Sequence, residues 1–79
     1  MVVKDLKIVL DKKKLLELLK VEELTVHDLY EVWNFKYKFD LSYKTFNKLV
    51  NNKIVWKMSY GIALSELLSV RISDIFKWD

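Results

Sequence analysis

Apolar residues fall at helical spacing in four separate stretches of this chain, each opened by a residue that suits a helix N-cap. Asp11 precedes the first, a predicted helix from residue 12 to about 20 with Leu15, Leu16 and Leu19 as its buried stripe. Thr25 precedes the second. Asp28 stands at the third helical position, a relative of the capping box with the shorter acid, and Leu29, Val32 and Trp33 form the inner face. Ser42 opens the third helix, within residues 42–52. Phe46, Leu49 and Val50 lie on one face of it, with Tyr43, Lys44, Asn47 and Lys48 on the other. Asn51 and Asn52 close it, because Asn tolerates the left-handed conformation that a C-cap needs. Ser59 opens a fourth helix over 60–68 that buries Ile62, Leu64, Leu67 and Leu68, and Ser73 opens a short final turn.

The joints between these stretches are less regular. Residues 1–10 form a lead-in whose β-branched, partly alternating part reads as a short strand or as unstructured chain. In residues 34–40, Phe35, Tyr37 and Phe39 alternate with Lys36 and Lys38. We read this segment as an extension of the second helix ending in a turn at Asp40, with Phe35 in the core and Tyr37 and Phe39 in an intermolecular contact. Residues 53–58 are a connector carrying Trp56. The expected architecture is a single all-α domain of four to five helices spanning 1–79, with a short N-terminal strand as an option.

With 79 residues the core is small, and with no Cys it has no disulfide or thiolate metal site to staple it. The 52% hydrophobic content and three Trp compensate, and a homodimer would add buried apolar surface. Absence of Cys fits a cytoplasmic location. Lys4, Asp5 and Lys7 interrupt any signal-peptide pattern, and no apolar run approaches the ~18 residues of a membrane span.

Charge is segregated. From Asn34 to Lys57 six lysines (Lys36, Lys38, Lys44, Lys48, Lys53, Lys57) face one acid, Asp40, so this third of the chain carries about +5 inside a net charge of +3. A local cationic patch suits a polyanion, since each Lys beside a phosphate releases condensed counterions. The competing reading of the third helix is an ordinary solvated amphipathic surface.

The order of these motifs resembles the lambda-repressor-like, Cro-type helix-turn-helix regulators over roughly residues 12–76. Thr25-Val26-His27-Asp28-Leu29 resembles the family's Thr-Gln-x-Glu-Leu. Ser42 to Leu49 resembles its recognition helix, Ser-x-x-Thr-Ile-x-x-Leu, and Glu66 to Phe76 resembles its Ala-Leu-Gly-Val-Ser-x-x-Asp-Leu-Phe ending. Three departures stand out. Leu29 and Ser42 are about six positions farther apart than in the pattern, with no Gly between them; Val26 replaces the Gln; and Ser69 replaces the Gly after the fourth helix.

The resemblance implies a DNA-binding transcriptional regulator, a repressor of phage or mobile-element type, bound to double-stranded DNA as a homodimer. It places Tyr43, Lys44, Asn47 and Lys48 at base edges, where Lys suits guanine and Asn adenine. Thr25, Lys36, Lys38, Ser42, Thr45, Lys53 and Lys57 become phosphate contacts. The rival reading is a protein-interaction module, an antirepressor or inhibitor that binds another regulator or enzyme, favoured by the 34–40 aromatics and by Val26. A single-strand or RNA binder is a weaker third. No enzymatic, metal or cofactor site is expected. The neighbours His27 and Asp28 do not face each other on a helix, so they read as a cap and an exposed ring rather than a dyad. The Trp set reads as core and interface. Lys12-Lys13-Lys14 opens a helix where the dipole disfavours cations, which hints at backbone contact.

Overall fold

The computed structural model describes residues 7–78; residues 1–6 of the lead-in lie outside them. The order is β1 (Ile8–Leu10), α1 (Lys12–Val21), α2 (Val26–Tyr37), α3 (Tyr43–Val50), α4 (Met58–Leu67), α5 (Ile72–Ile75) and β2 (Phe76–Trp78). Asp11, Thr25 and Ser42 cap the first three helices, their side-chain oxygens accepting from the backbone N–H groups of Lys14, Asp28 and Thr45. β1 pairs antiparallel with β2, with Leu10 opposite Phe76 and Ile8 opposite Trp78, and Ile8 also bridges to Trp56. The strand option for the lead-in therefore holds at residues 8–10. Its partner, the chain's last described segment, carries no strand signal of its own.

Aromatic rings fill the centre. Trp33 is fully buried, its ring centroid 4.5 Å from that of Phe39, 5.0 Å from Phe46 and 5.5 Å from Tyr60. Trp56 packs against Phe76 at 4.9 Å and donates its indole N–H to the Leu49 carbonyl at 2.6 Å. That bond satisfies the one polar group such a ring brings into a core.

Three expected stripes are turned. Leu16, Val32 and Ile62 are exposed, while Leu15, Leu19, Leu29, Trp33 and Leu64 are buried. Leu67 and Leu68 are only half-buried. On α4 the buried face is made of the small residues Gly61, Ala63 and Ser65 beside Leu64, because α4 is closely approached there. A Cβ on Gly61 would stand 2.7 Å from Ile8 Cδ1 and 3.4 Å from Phe76 Cε2. The Ser65 hydroxyl is satisfied by the Gly61 carbonyl at 2.8 Å. α4 also begins earlier than read, at Met58, with Lys57 rather than Ser59 at the N-cap. Likewise α5 starts at Ile72, where the Asp74 carboxylate accepts from the Arg71 backbone N–H at 2.9 Å.

The extra residues between Leu29 and Ser42 form an out-and-back excursion. α2 runs on to Tyr37, and Lys38 (φ 54°) and Asp40 (φ 56°) take the left-handed region in place of the missing Gly. The chain then returns along α2. Phe39 lies on Trp33, the Leu41 N–H donates to Asn34 Oδ1 at 2.9 Å, and the Tyr30 hydroxyl donates to the Leu41 carbonyl at 2.5 Å. The expected roles of the aromatics are exchanged. Phe35 is 86% exposed, whereas Tyr37 and Phe39 are half-buried against the core. Phe35 falls on the α2 face opposite Leu29 and Trp33, and the returning chain carries Phe39 inward.

Candidate nucleic-acid interface

α3 is held at both ends. Its start is fixed by the two bonds to Leu41 and by Ser42, whose hydroxyl accepts from the Thr45 N–H at 3.2 Å and lies 3.0 Å from the Thr45 hydroxyl. Its end closes in a Schellman motif: Lys53 N–H donates to the Lys48 carbonyl and Asn52 N–H to that of Leu49, both at 2.9 Å, with Asn52 at φ 56°. The Asn52 amide then bonds both backbone groups of Leu10 at 2.9 Å, fastening the helix end to β1. Lys12 Nζ donates to Asn51 Oδ1 at 2.6 Å, bringing the start of α1 to the same end.

Between these anchors Phe46, Leu49 and Val50 are buried, and Tyr43, Lys44, Asn47 and Lys48 are exposed. Lys44, Asn47, Lys48 and Asn51 share one face at spacings of three and four. The Asn51 amide donates to the Asn47 carbonyl at 2.8 Å, which braces the last turn. Tyr43 flanks this face. Its ring centroid is 4.7 Å from that of His27 and 5.4 Å from that of Tyr30, so the first turns of α2 and α3 lie side by side. His27 is in turn 3.3 Å from the Glu31 carboxylate.

The remaining candidates separate into groups. Ser42 and Thr45 sit at the start of α3 and bond each other, while the Thr25 hydroxyl is engaged in the α2 cap beside His27. Lys53 follows the end of α3 and shares an open groove of about 210 Å³ with Lys7, Asn52 and Val55. Lys57 stands at the start of α4 with Nζ 5.4 Å from the Tyr60 ring centroid. Lys36 and Lys38 lie at the tip of the excursion, and Lys36 Nζ is 5.5 Å from the Tyr37 ring centroid. At 1.5 Å rise per residue, α2 separates that tip from Thr25 by roughly 17–20 Å.

Sequence reasoning singled out Lys12 for a backbone contact but did not join it, or His27, to the α3 face, where Asn51 and Tyr43 bring them. Both are long-range pairings with no local signal, although the unfavourable dipole position of Lys12 drew attention to it. The acidity of Asp28 is displaced by its place in the α2 cap. Its carboxyl is held below its usual value near 3.8, chiefly by the Thr25 backbone N–H and then by the Thr25 side chain. Among the described residues there is no cluster of three or more His, Cys, Asp or Glu that could hold a metal, and no helix long and apolar enough to cross a membrane.

No family model matches the chain, and no curated protein matches it. Among solved structures, it is similar to the crystal structure of the transcriptional regulator VanUg, with a TM-score of 0.66 and 22% identity over 100% of this chain and 93% of that one. At that identity the likeness is one of fold. The five helices and two-stranded sheet are thus an arrangement that a transcriptional regulator also adopts.

Proposed function

We propose that this chain is a sequence-specific DNA-binding transcriptional regulator, a Cro-type repressor of the kind found in phages and mobile elements. It inserts α3 into the major groove and acts in the cytoplasm as a homodimer on a pseudo-palindromic site. The observation that carries this reading is α3 itself. It is fastened at both ends, buries Phe46, Leu49 and Val50, and turns Lys44, Asn47 and Lys48 to solvent with Tyr43 at their flank. A rigidly held helix can enter a groove without first paying to order itself.

In this reading Lys44 and Lys48 donate to guanine O6 and N7, and Asn47 pairs with adenine. Tyr43 packs on His27 and meets the base edges at the start of the helix. Thr25, Ser42, Thr45, Lys53 and Lys57 hold phosphates, with Lys36 and Lys38 reaching the backbone farther out. Lys12, already against Asn51, joins them.

The test is a gel shift on a site selected from random DNA. Lys44→Ala is expected to cost about 1–3 kcal/mol on that site and little on random DNA, whereas Lys36→Ala weakens both alike. Equal behaviour of the two variants sinks the assignment of the recognition helix. Absence of DNA binding at low salt turns the reading to a protein-interaction module, which the exposed Phe35 favours.

A further inference from the structure

The α2 face pointing away from the core has no partner within the described chain. Opposite the buried Leu29 and Trp33, it presents Asp28, Glu31, Val32 and Phe35, with Lys36 at its edge and Lys38 just beyond. Phe35 is the most exposed large apolar side chain in the described structure, and Val32, one turn away, is about half exposed. Beside them runs an open groove of about 520 Å³ lined by Tyr30, Glu31, Val32, Asn34, Phe35 and Lys36, room enough for an aromatic side chain from outside.

We infer that this face is where a second copy of the chain docks, α2 against α2 in antiparallel sense, with Phe35 of each copy entering the groove beside Val32 of the other. The inference deepens the homodimer of the preceding reading, giving Lys36 and Lys38 to the partner's acids in place of phosphates, and is tested without DNA, so either can fail alone.

The charge order along the helix selects this occupant. The N-terminal half of the face is acidic (Asp28, Glu31), the C-terminal half is basic (Lys36, Lys38), and the apolar pair lies between them. A two-fold contact requires that what residue i meets in its partner, the partner meets in residue i. Antiparallel packing about a point between Val32 and Phe35 meets that condition. It sets acids level with bases at both ends and apolar against apolar in the middle. A parallel pairing would instead set like charges together, at a cost. A partner of one uniform charge would be repelled by half of the face. Glu31 keeps a carboxylate oxygen beyond its contact with His27, and Lys36 sits on Tyr37 with its ammonium in solvent, so both are available to a neighbour.

Two helical turns make a contact at the small end of stable interfaces, so association is expected in roughly the micromolar range. Sedimentation equilibrium over about 5–500 µM should show the mass rising from 9.5 kDa toward twice that value. Phe35→Ser should stay monomeric throughout and keep the helical spectrum, since Phe35 contributes nothing to the core. Val21→Ser, at another highly exposed apolar position on α1, should dimerise like the parent chain. Because the chain has no Cys, single-cysteine variants give a second readout. Under oxidation Phe35→Cys should form a covalent dimer rapidly and Val21→Cys slowly. Glu31→Lys should weaken the dimer at least tenfold, and Glu31→Lys with Lys36→Glu should recover most of the loss. A parent chain monomeric across the range overturns the proposal. So does a Phe35→Ser variant that dimerises normally, or a Glu31→Lys variant that dimerises as well as the parent.

Discussion

At the scale of single residues, the left-handed positions set this chain apart. Three helices end in Schellman motifs, with Glu23, Asn52 and Ser69 at the left-handed position, each at φ 56°. The one glycine of the sequence stands inside α4, where the close approach of Ile8 and Phe76 needs it. An L-residue in this region pays a steric cost that glycine does not. Ser69 is exposed, so Ser69→Gly is expected to stabilise the chain by about 0.5–1 kcal/mol, raising the melting temperature by roughly 2–8 °C. Asn52→Gly relieves the same strain but removes both bonds to Leu10, each worth ~1 kcal/mol, and should lower stability by about 1 kcal/mol. Calorimetry on the two variants checks the contrast. A rise for both would mean that the Asn52 amide does not fasten α3 to β1.

At the scale of elements, the helix starts at Asp11, Thr25 and Ser42 were legible, because cap chemistry is written within three residues. The solvent face of α3 was legible for a similar reason: apolar Phe46, Leu49 and Val50 leave only one other side. The buried face of α4 was not, since Gly61 and Ser65 are buried through close approach rather than hydrophobicity. The exchange of Phe35 and Phe39 was also hidden, because it depends on Lys38 turning left-handed and sending the chain back along α2. Phe39→Ser should therefore cost about 2–3 kcal/mol, somewhat less than truncating a fully buried ring. Phe35→Ser should stay within about 0.5 kcal/mol of the parent in dilute solution, and urea melts separate the two. The α2 cap makes a third prediction. Asp28 has a folded pKa lowered from near 3.8, so its stabilisation is complete above that value and is lost as pH falls through the folded one. The stability difference between the parent and Asp28→Asn should be constant above about pH 5 and shrink below about pH 4. A constant difference down to pH 2 would contradict the cap.

At the scale of the molecule, charge segregation reappears in space. Lys44 and Lys48 project from α3, Lys53 follows it, Lys12 is drawn to its end, and Lys57 opens the next helix. Lys12, Lys53 and Lys57 number six over the two copies of the proposed homodimer; if four to six of them meet phosphates, the logarithm of the DNA association constant should fall against log salt with a slope of roughly −4 to −5. A flat dependence would show that the lysines are only a solvated surface. The competing protein-interaction reading makes no such demand.

The pairing of β1 with β2 also bears on how the chain is made. Leu10 and Ile8 leave the ribosome early, yet their ladder partners Phe76 and Trp78 come near the end of the described chain. At usual elongation rates of about 5–20 residues per second, β1 waits several seconds before its partner exists. During that time the helices can form locally, but the floor of the core beneath Gly61 stays open, with Ile8 uncovered. Closure is thus a late step that depends on the chain reaching Phe76, and a transcript cut short before that codon yields a product unable to complete its core. The far end of α3, the helix proposed to meet DNA, hangs on Leu10, so such a fragment also leaves the anchor of that helix unset.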